Sequence, residues 1–266
     1  MGSQQAAGGS SPLKGAGRGG AEQIEIRPCD SLAEFDRCVE LQRLVWGFAD
    51  VDIVPSALFV VAAHTGGHVF GAYHGDEMVG FVMAFGGYRD GRALLHSHMA
   101  AVLPAYQGSG VGRRLKWRQR DDALARGIRL VEWTFDPLEI RNAHFNLERL
   151  GAIARHYLPN AYGQTTSPLH AVLPTDRLLA EWWLDTARVE ARAAGKPRTR
   201  EAVTARIRVP GKISQWRHAS PAAAAQAQTE IREQFQQWFG RGDAAIGFEV
   251  DATSGDGVYL LGRYED

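Results

Sequence analysis

Three glycines at alternating positions, Gly108, Gly110 and Gly112, follow a strand-like run that ends at Pro104 and precede a helical pattern. A glycine backbone can turn sharply and approach a ligand closely because it has no Cβ. The first N–H groups of the following helix lack intrahelical acceptors, and the helix dipole adds positive potential there. This arrangement predicts a cradle for phosphate oxygens.

The spacing distinguishes this loop from two common phosphate-binding loops. It is not Gly-x-Gly-x-x-Gly, and no Gly-Lys-Ser/Thr closes it. The sequence has Gln107-x-x-Gly110-x-Gly112, preceded by Val102-x-Pro104. This pattern resembles the coenzyme A pyrophosphate loop of the GNAT N-acetyltransferase superfamily.

The resemblance implies a fold, a co-substrate and a set of contacts. The fold class is α/β (α+β): the GNAT fold, a mixed central β-sheet flanked by helices, in which two parallel strands splay apart beside the loop. The co-substrate is acetyl-CoA or another acyl-CoA. The residues expected to contact it lie on the first splayed strand, in the loop and at the next helix: Met99, Ala100, Val102, Gln107, Gly108, Ser109, Gly110, Val111, Gly112, Arg113 and Asn142.

Acyl transfer to an amine requires a group that takes a proton from the nucleophile. His96 and His98 lie two residues apart on the strand before the loop, so their side chains share a face. Because histidine titrates near neutral pH, His98 is the first catalytic candidate; the alternative is a ring hydrogen-bonded within the sheet. Asp136, just past the next strand, is the second, although a turn residue that caps a helix would look the same. Glu132 is the third.

The resemblance leaves the general acid unassigned. Counting back from Gly151, Leu147 stands where the family usually has a tyrosine that protonates the departing thiolate. Either another donor serves, or the thiolate leaves without help from the protein. Tyr157 and Tyr162 follow closely, but the sequence does not place their hydroxyls.

Hydrophobic periodicity and capping signals predict the elements that position these residues. Strands are predicted at 24–27, 68–73, 78–85, 93–102, 128–135, 156–157, 170–173, 205–209, 245–248 and 258–261. Helices are predicted from Ser31 to Trp46, with a capping box, and at 55–63, 110–126, 142–151, 177–194 and 221–239.

The chain divides into three parts in this interpretation. Residues 1–22 are rich in Gly, Ser, Ala and Gln and are expected to be a disordered leader. Residues 23–194 form the acyltransferase domain. Residues 195–266 start with a linker and form a C-terminal β-α-β-β appendage, too small for an independent core, that packs on the main domain or on the partner in a homodimer.

Bulk composition restricts the partners and the location. Lys+Arg and Asp+Glu both number 30, so no net positive charge attracts nucleic acid or an anionic membrane. No apolar run approaches the roughly 20 residues that span a bilayer. Cys29 and Cys38 fit free thiols in a reducing cytoplasm, and no metal-ligand spacing is found.

We therefore expect an acyl-CoA-dependent N-acyltransferase without a covalent enzyme intermediate, acting on a small-molecule amine. Ser97-His98-Met99, Thr134 to Leu138, the paired Asn142 and Asn146, and Gly247-Phe248 resemble a bacterial branch of the superfamily that includes N-succinyltransferases of amino acids. That resemblance favours an amino acid acceptor and an acetyl or succinyl donor. A non-catalytic acyl-CoA-binding regulatory module is the alternative, and an acyl-CoA decarboxylase ranks last.

Overall fold

The computed structural model describes residues 23–47, 49–163, 173–196 and 201–264. The first of its elements, up to the glycine loop, are β1 (Ile24–Pro28), α1 (Leu32–Trp46), α2 (Ser56–His64), β2 (His68–His74), β3 (Glu77–Arg89) and β4 (Arg92–Val102). After the loop come α3 (Val111–Ala125), β5 (Leu130–Phe135), α4 (Ile140–His144, extended by a wider π-type turn to Leu150), β6 (Ile153–Leu158), β7 (Arg177–Trp183) and α5 (Ala187–Ala193). The C-terminal segment forms β8 (Ala205–Val209), α6 (Ile213–Ala219), α7 (Pro221–Gly240), β9 (Ala244–Val250) and β10 (Gly257–Gly262).

The ten strands of the described residues form one sheet in the order β1-β2-β3-β4-β5-β7-β6-β9-β10-β8. Within these residues, β4 and β5 are the parallel pair, and every other neighbouring pair is antiparallel. The predicted mixed sheet flanked by helices is confirmed.

Alternating side chains of β3 show which helices cover which face. Phe81 and Met83 pack with α1 and α2, whereas Val82 between them packs with Val111 and Leu115 of α3. The α1–α2 pair therefore covers one face of the first strands and α3 covers the other. In the described part of the chain, no helix combines the length and apolar character needed to cross a membrane.

Helix α1 begins as the sequence predicts. The Ser31 side chain accepts a bond from the Glu34 N–H, and the Glu34 carboxylate accepts one from the Ser31 N–H at 3.2 Å. These reciprocal bonds satisfy donors that the first helical turn leaves free. Glu34 also accepts bonds from Arg27 and from Tyr73, so the cap ties the helix to β1 and β2.

The helix predicted from Arg177 to Ala194 is wrong. Residues Arg177–Trp183 form β7, which pairs with both β5 and β6, and the helix here is only Ala187–Ala193. Leu, Ala and Glu favour helices, but Leu178, Ala180 and Trp182 alternate along the strand and are fully buried. Burial of this face between two neighbouring strands overrides local helix propensity.

The C-terminal segment continues the main sheet, because β9 pairs with β6 at Ala245 and Ala154. Helix α6 is an element that the sequence interpretation missed, whereas α7, β8, β9 and β10 agree with it. The predicted leader, the strand at 170–173 up to its last residue, and most of the predicted linker lie outside the described residues.

A buried ion pair joins this segment to the loop after β5. Arg217 of α6 donates to the Asp136 carboxylate at 2.7 Å and to Glu139 at 3.0 Å, and its side chain is 4% exposed. The Tyr259 hydroxyl of β10 donates to the Pro137 carbonyl at 2.8 Å. The residues after β5 are therefore fixed by side chains that come much later in the chain.

Replacing Arg217 by methionine should destabilise the fold by about 3 kcal/mol, because the buried Asp136 loses the guanidinium of Arg217. Urea unfolding measures this change. Arg206→Met removes an arginine from the exposed pair with Glu249 and should cost less than about 1 kcal/mol. Equal losses in the two variants would contradict a structural role for the buried pair.

Candidate functional site

The loop between β4 and α3 has the geometry of an anion cradle. Gly108 and Gly110 have positive φ values of 75° and 94°, and α3 begins at Val111 with no side chain capping it. The first main-chain bond of the helix runs from the Arg114 N–H to the Gly110 carbonyl at 3.0 Å. The N–H groups before that bond have no intrahelical acceptors and are available to an anion.

The space around each loop glycine shows whether backbone conformation or the approach of a ligand requires glycine there. A Cβ on Gly108 or Gly110 would meet nothing within 4 Å, so these positions require glycine for backbone conformation. At Gly112, where φ is ordinary, a Cβ would make only a normal contact of 3.7 Å with Val102. The fold does not need a glycine at Gly112, but a ligand that approaches the main chain closely would.

Local hydrogen bonds shape the loop from within. The Gln107 amide donates to the Val102 carbonyl at 3.0 Å, and the Ser109 hydroxyl donates to the Tyr106 carbonyl at 2.5 Å. Both side chains are exposed, and their bonds are directed back at the chain. They therefore support the loop conformation rather than block the cradle.

Strands β4 and β5 separate along their length, as predicted. Their paired residues are Leu95 with Val131 and His96 with Glu132. Beyond that point β4 remains paired with β3 up to Val102, and β5 remains paired with β7 up to Phe135. The facing edges of β4 and β5 thus form a cleft that leads from the glycine loop down to His96.

A bulge in β4 lies at the narrow end of this cleft. Met99 pairs with Met83 and Ser97 with Ala84, so His98 is the extra residue. Bulges redirect side chains locally. Here Met99 packs towards the α1–α2 core, whereas Ser97 is buried towards α3.

His96, His98 and Glu132 come together beside the bulge. The rings of His96 and His98 are 6.1 Å apart, and the Phe85 ring lies 5.5 Å from that of His98. Partial burial, together with the neighbouring His96, lowers the pKa of His98 below the usual histidine value. His98 is therefore a neutral imidazole at neutral pH, able to accept a proton.

Glu132 is a buried carboxylate with one engaged oxygen. Its Oε1 accepts a bond from Arg89 at 2.7 Å and lies 3.7 Å from His96 Nδ1, while Oε2 is buried with no partner among the described residues. Burial opposes its ionisation, but His96 and Arg89 outweigh this effect and hold its pKa below the ordinary glutamate value. The group is thus a carboxylate at neutral pH.

The remaining predicted residues occupy different positions. Asp136 is buried in the pair with Arg217 and accepts the Leu138 N–H at 2.8 Å, as expected of a turn-forming Asp-Pro. Asn142 is exposed on α4, and Ala100 is exposed on β4. Arg113 extends to the Arg192 carbonyl on α5 at 3.0 Å rather than into the loop.

Lys116 is a residue of the site that the sequence interpretation missed. The many basic residues of α3 predict a solvated lysine here, yet its side chain is buried against Ser97 of β4 and Trp133 of β5. The available signal was its place next to Leu115 on the inward face, where Val111, Leu115, Gln119 and Ala123 recur every four residues and are buried.

Leu147 is fully buried in the core, on the π-type turn that extends α4. It contributes no polar group to the cleft. Leu147 therefore cannot replace the tyrosine that the family usually has at this position. A proton donor to the leaving group would come from another element.

Comparisons with known proteins concern the region around the loop. Residues 35–152 match the model of the acetyltransferase (GNAT) family. A GNAT-family protein from Desulfovibrio desulfuricans superposes with a TM-score of 0.50 and 18% identity, over 60% of this chain and 99% of its own. The ribosomal-protein-S18-alanine N-acetyltransferase of Escherichia coli gives a TM-score of 0.50 and 15% identity, over 62% of this chain and 96% of its own. A search of curated proteins gives no match. At these identities the structural similarity establishes the fold.

Gly110→Ala should weaken coenzyme A binding at least about tenfold, because a side chain disfavours the left-handed backbone that aims the N–H groups. Isothermal calorimetry with coenzyme A measures this loss. Gly127→Ala is the matched control, since Gly127 has a φ of 72° and open space around it but follows the opposite end of α3. Both variants should lose about 1 kcal/mol of stability. Equal weakening of coenzyme A binding in both would contradict the cradle.

Proposed function

We propose that this chain, whose residues 35–152 match the acetyltransferase (GNAT) family model, acylates the amine of a small molecule, specifically an amino acid. It would be an acyl-CoA-dependent acyltransferase, with acetyl-CoA or another acyl-CoA as co-substrate, as the family match supports. The main chain from Gly108 to Arg113 would hold the pyrophosphate, which fits the open surroundings of these glycines. The cleft between β4 and β5 would take the pantetheine arm against the free edge of β4.

His98 is the group that we assign as the base. It occupies the bulge at the point where β4 leaves β5, and its ring makes no hydrogen bond or ion pair within the described residues. A neutral imidazole so placed can take a proton from the attacking amine, directly or through water. This position of His98 is the observation that carries the proposal.

The other two candidates suit supporting roles. Asp136 forms a buried ion pair with Arg217. Because breaking such a pair is destabilising, a structural function is favoured for Asp136. Glu132 has a free Oε2 beside the imidazoles, which suits an acceptor for the substrate's N–H groups. Glu132 would then orient the amine and His98 would deprotonate it.

A second cavity, of about 1000 Å³, lies at the N-terminal ends of β4 and β5 and is lined by Arg89, the partner of Glu132; it supports a carboxylate-bearing acceptor. It is lined by charged side chains, among them Arg89, Arg92, Arg129, Arg155 and Glu181. Arg155 is paired with Glu181 and Arg129 with Asp185, whereas Arg92 makes no ion pair within the described residues. Arg92 can therefore hold a carboxylate while the amine of the same molecule points towards Glu132.

An acetyl or a succinyl donor is compatible with the site. A succinyl group would add a second carboxylate, which would need a cation, and Arg141, Arg155 and Arg177 are arginines in this part of the sequence. Arg155 is paired with Glu181, Arg141 is exposed on α4, and Arg177 is half-buried at the start of β7, 5.3 Å from the Tyr162 ring centroid.

Thiol release from acetyl-CoA and from succinyl-CoA, measured with a panel of amino acids, tests this function. The matched control is the same panel with each α-carboxylate converted to an amide. Acylation of amino acids but not of their amides, identified by mass spectrometry, is the expected outcome. Acylation of both at equal rates would exclude recognition by Arg92, and tight coenzyme binding without turnover on any amine would refute acylation of small-molecule amines.

His98→Gln should lower kcat/KM by about a hundredfold or more. In the unmodified protein, activity should fall with decreasing pH only below the ordinary histidine value of about 6.5, because a lowered pKa keeps His98 neutral to lower pH. The variant should lose this acid limb. His64→Gln, on the exposed end of α2, should keep both the rate and the limb. If the limb persists in the His98 variant, another group is the base.

A further inference from the structure

Lys116 is a buried lysine with no carboxylate partner. Its side chain is 4% exposed, and within the described residues no carboxylate forms an ion pair with Nζ. Nζ donates to the Ser97 hydroxyl at 3.0 Å and to the Gln119 side-chain oxygen at 2.5 Å. It also lies 3.9 Å from the centroid of the Trp133 ring and 5.4 Å from that of Trp182.

These contacts satisfy the hydrogens of an ammonium but leave its charge uncompensated. The two oxygens belong to a hydroxyl and an amide, and the aromatic faces attract a cation only weakly. A buried charge normally has an oppositely charged partner, because its transfer from water is costly. When it is protonated, Lys116 therefore carries a positive charge that no carboxylate among the described residues neutralises.

The position of Nζ in the sheet defines where that field acts. The last residues at which β4 and β5 pair are His96 and Glu132. Ser97 and Trp133, which Nζ contacts, are the next residue of each strand. The ammonium thus bridges the two strands immediately beyond their final pair, at the narrow end of the cleft and on the α3 side.

The length of the cleft brings the reacting end of a bound thioester to this point. Five residues of strand separate Val102, beside the glycine loop, from Ser97, which is about 17 Å at ~3.3 Å per residue. That span is comparable with an extended pantetheine arm. A thioester whose pyrophosphate occupies the loop would therefore place its sulfur near Nζ.

We propose that Lys116 is a catalytic residue, whose ammonium stabilises the coenzyme A thiolate and protonates it as it leaves. This inference rests on the proposed function. The nitrogen of the acceptor forms the new bond to the carbonyl carbon, the C–S bond breaks, and sulfur keeps the electron pair. Lys116 gives sulfur a proton, His98 takes the proton lost by the acceptor nitrogen, and water returns His98 and Lys116 to their starting states.

In this scheme the two proton transfers take place on opposite faces of β4. His98 is on the side of the α1–α2 pair and Lys116 on the side of α3, with the bulge between them. Burial also lowers the pKa of Lys116 well below the ordinary lysine value, which makes its ammonium a stronger acid. The nearby His68, joined to Lys116 through Gln119, is a buried histidine bonded to Asp122 at 3.0 Å.

Lys116→Met and Lys116→Gln test the proposal with two acyl donors. With acetyl-CoA, kcat should fall about a hundredfold in both variants while KM changes little. With phenyl thioacetate, whose thiolate leaves without protonation, the variants should match the unmodified protein. Lys116→Gln keeps hydrogen bonds near Ser97 and guards against a folding defect in the methionine variant. Arg118→Met removes one positive charge from the same helix, on the side of Phe70, and should leave both rates unchanged.

A binding measurement provides a readout independent of turnover. Ultraviolet titration of bound coenzyme A should show its thiol ionising at lower pH in the unmodified protein than in either Lys116 variant, and Arg118→Met should match the unmodified protein. Equal thiol titrations, or equal loss of rate with both donors, would overturn the role of Lys116. Absence of turnover in the unmodified protein would instead contradict the proposed function, so the two failures are distinguishable.

Discussion

The separation of β4 from β5 after His96 and Glu132 is the constraint on which the site depends. A strand edge without a partner is normally costly, since its N–H and C=O groups must be satisfied. Here each strand keeps a complete partner on its other side, β3 for β4 and β7 for β5. The sheet therefore stays intact while one internal edge remains open to a ligand that can complete the bonding.

The open edge persists because the space behind it is already filled. Trp133 and Trp182 pack edge-to-face with ring centroids 6.0 Å apart, and Trp117 lies 5.4 Å from Trp182. Closing β4 onto β5 would require these rings and the Lys116 side chain to move, and well-packed interiors resist such changes. The aromatic cluster and the buried lysine thus fill the face of the sheet behind the separated strands.

The part of this arrangement that local patterns encode could be predicted from the sequence. Three features depend only on neighbours within a few residues. They are the positive φ angles of Gly108 and Gly110, the capping box at Ser31 and the alternating pattern of β4. The strand at Arg177 could not be identified in the same way, because its burial depends on β5 and β6 on either side of it. Lys116 was hidden for a similar reason, since its environment is set by Ser97 and Trp133 on different strands.

Asp136 shows how a distant partner changes the chemistry assigned to a residue. In the sequence it stands at the carboxyl end of a strand, where ligands of α/β sheets gather, and a free carboxylate there could serve as a base. In the structure Arg217, 81 residues later in the chain, neutralises it and buries it.

The C-terminal segment therefore does more than extend the sheet. Its Arg217 pairs with Asp136 at the end of β5. The pair neutralises that carboxylate and makes it a poorer proton acceptor. At the narrow end of the cleft, Glu132 provides a negative charge, which Arg89 holds near His96. In the proposed reaction, the proton of the acceptor passes to the imidazole of His98, and Lys116 acts from the opposite face of β4 with no carboxylate paired to it among the described residues.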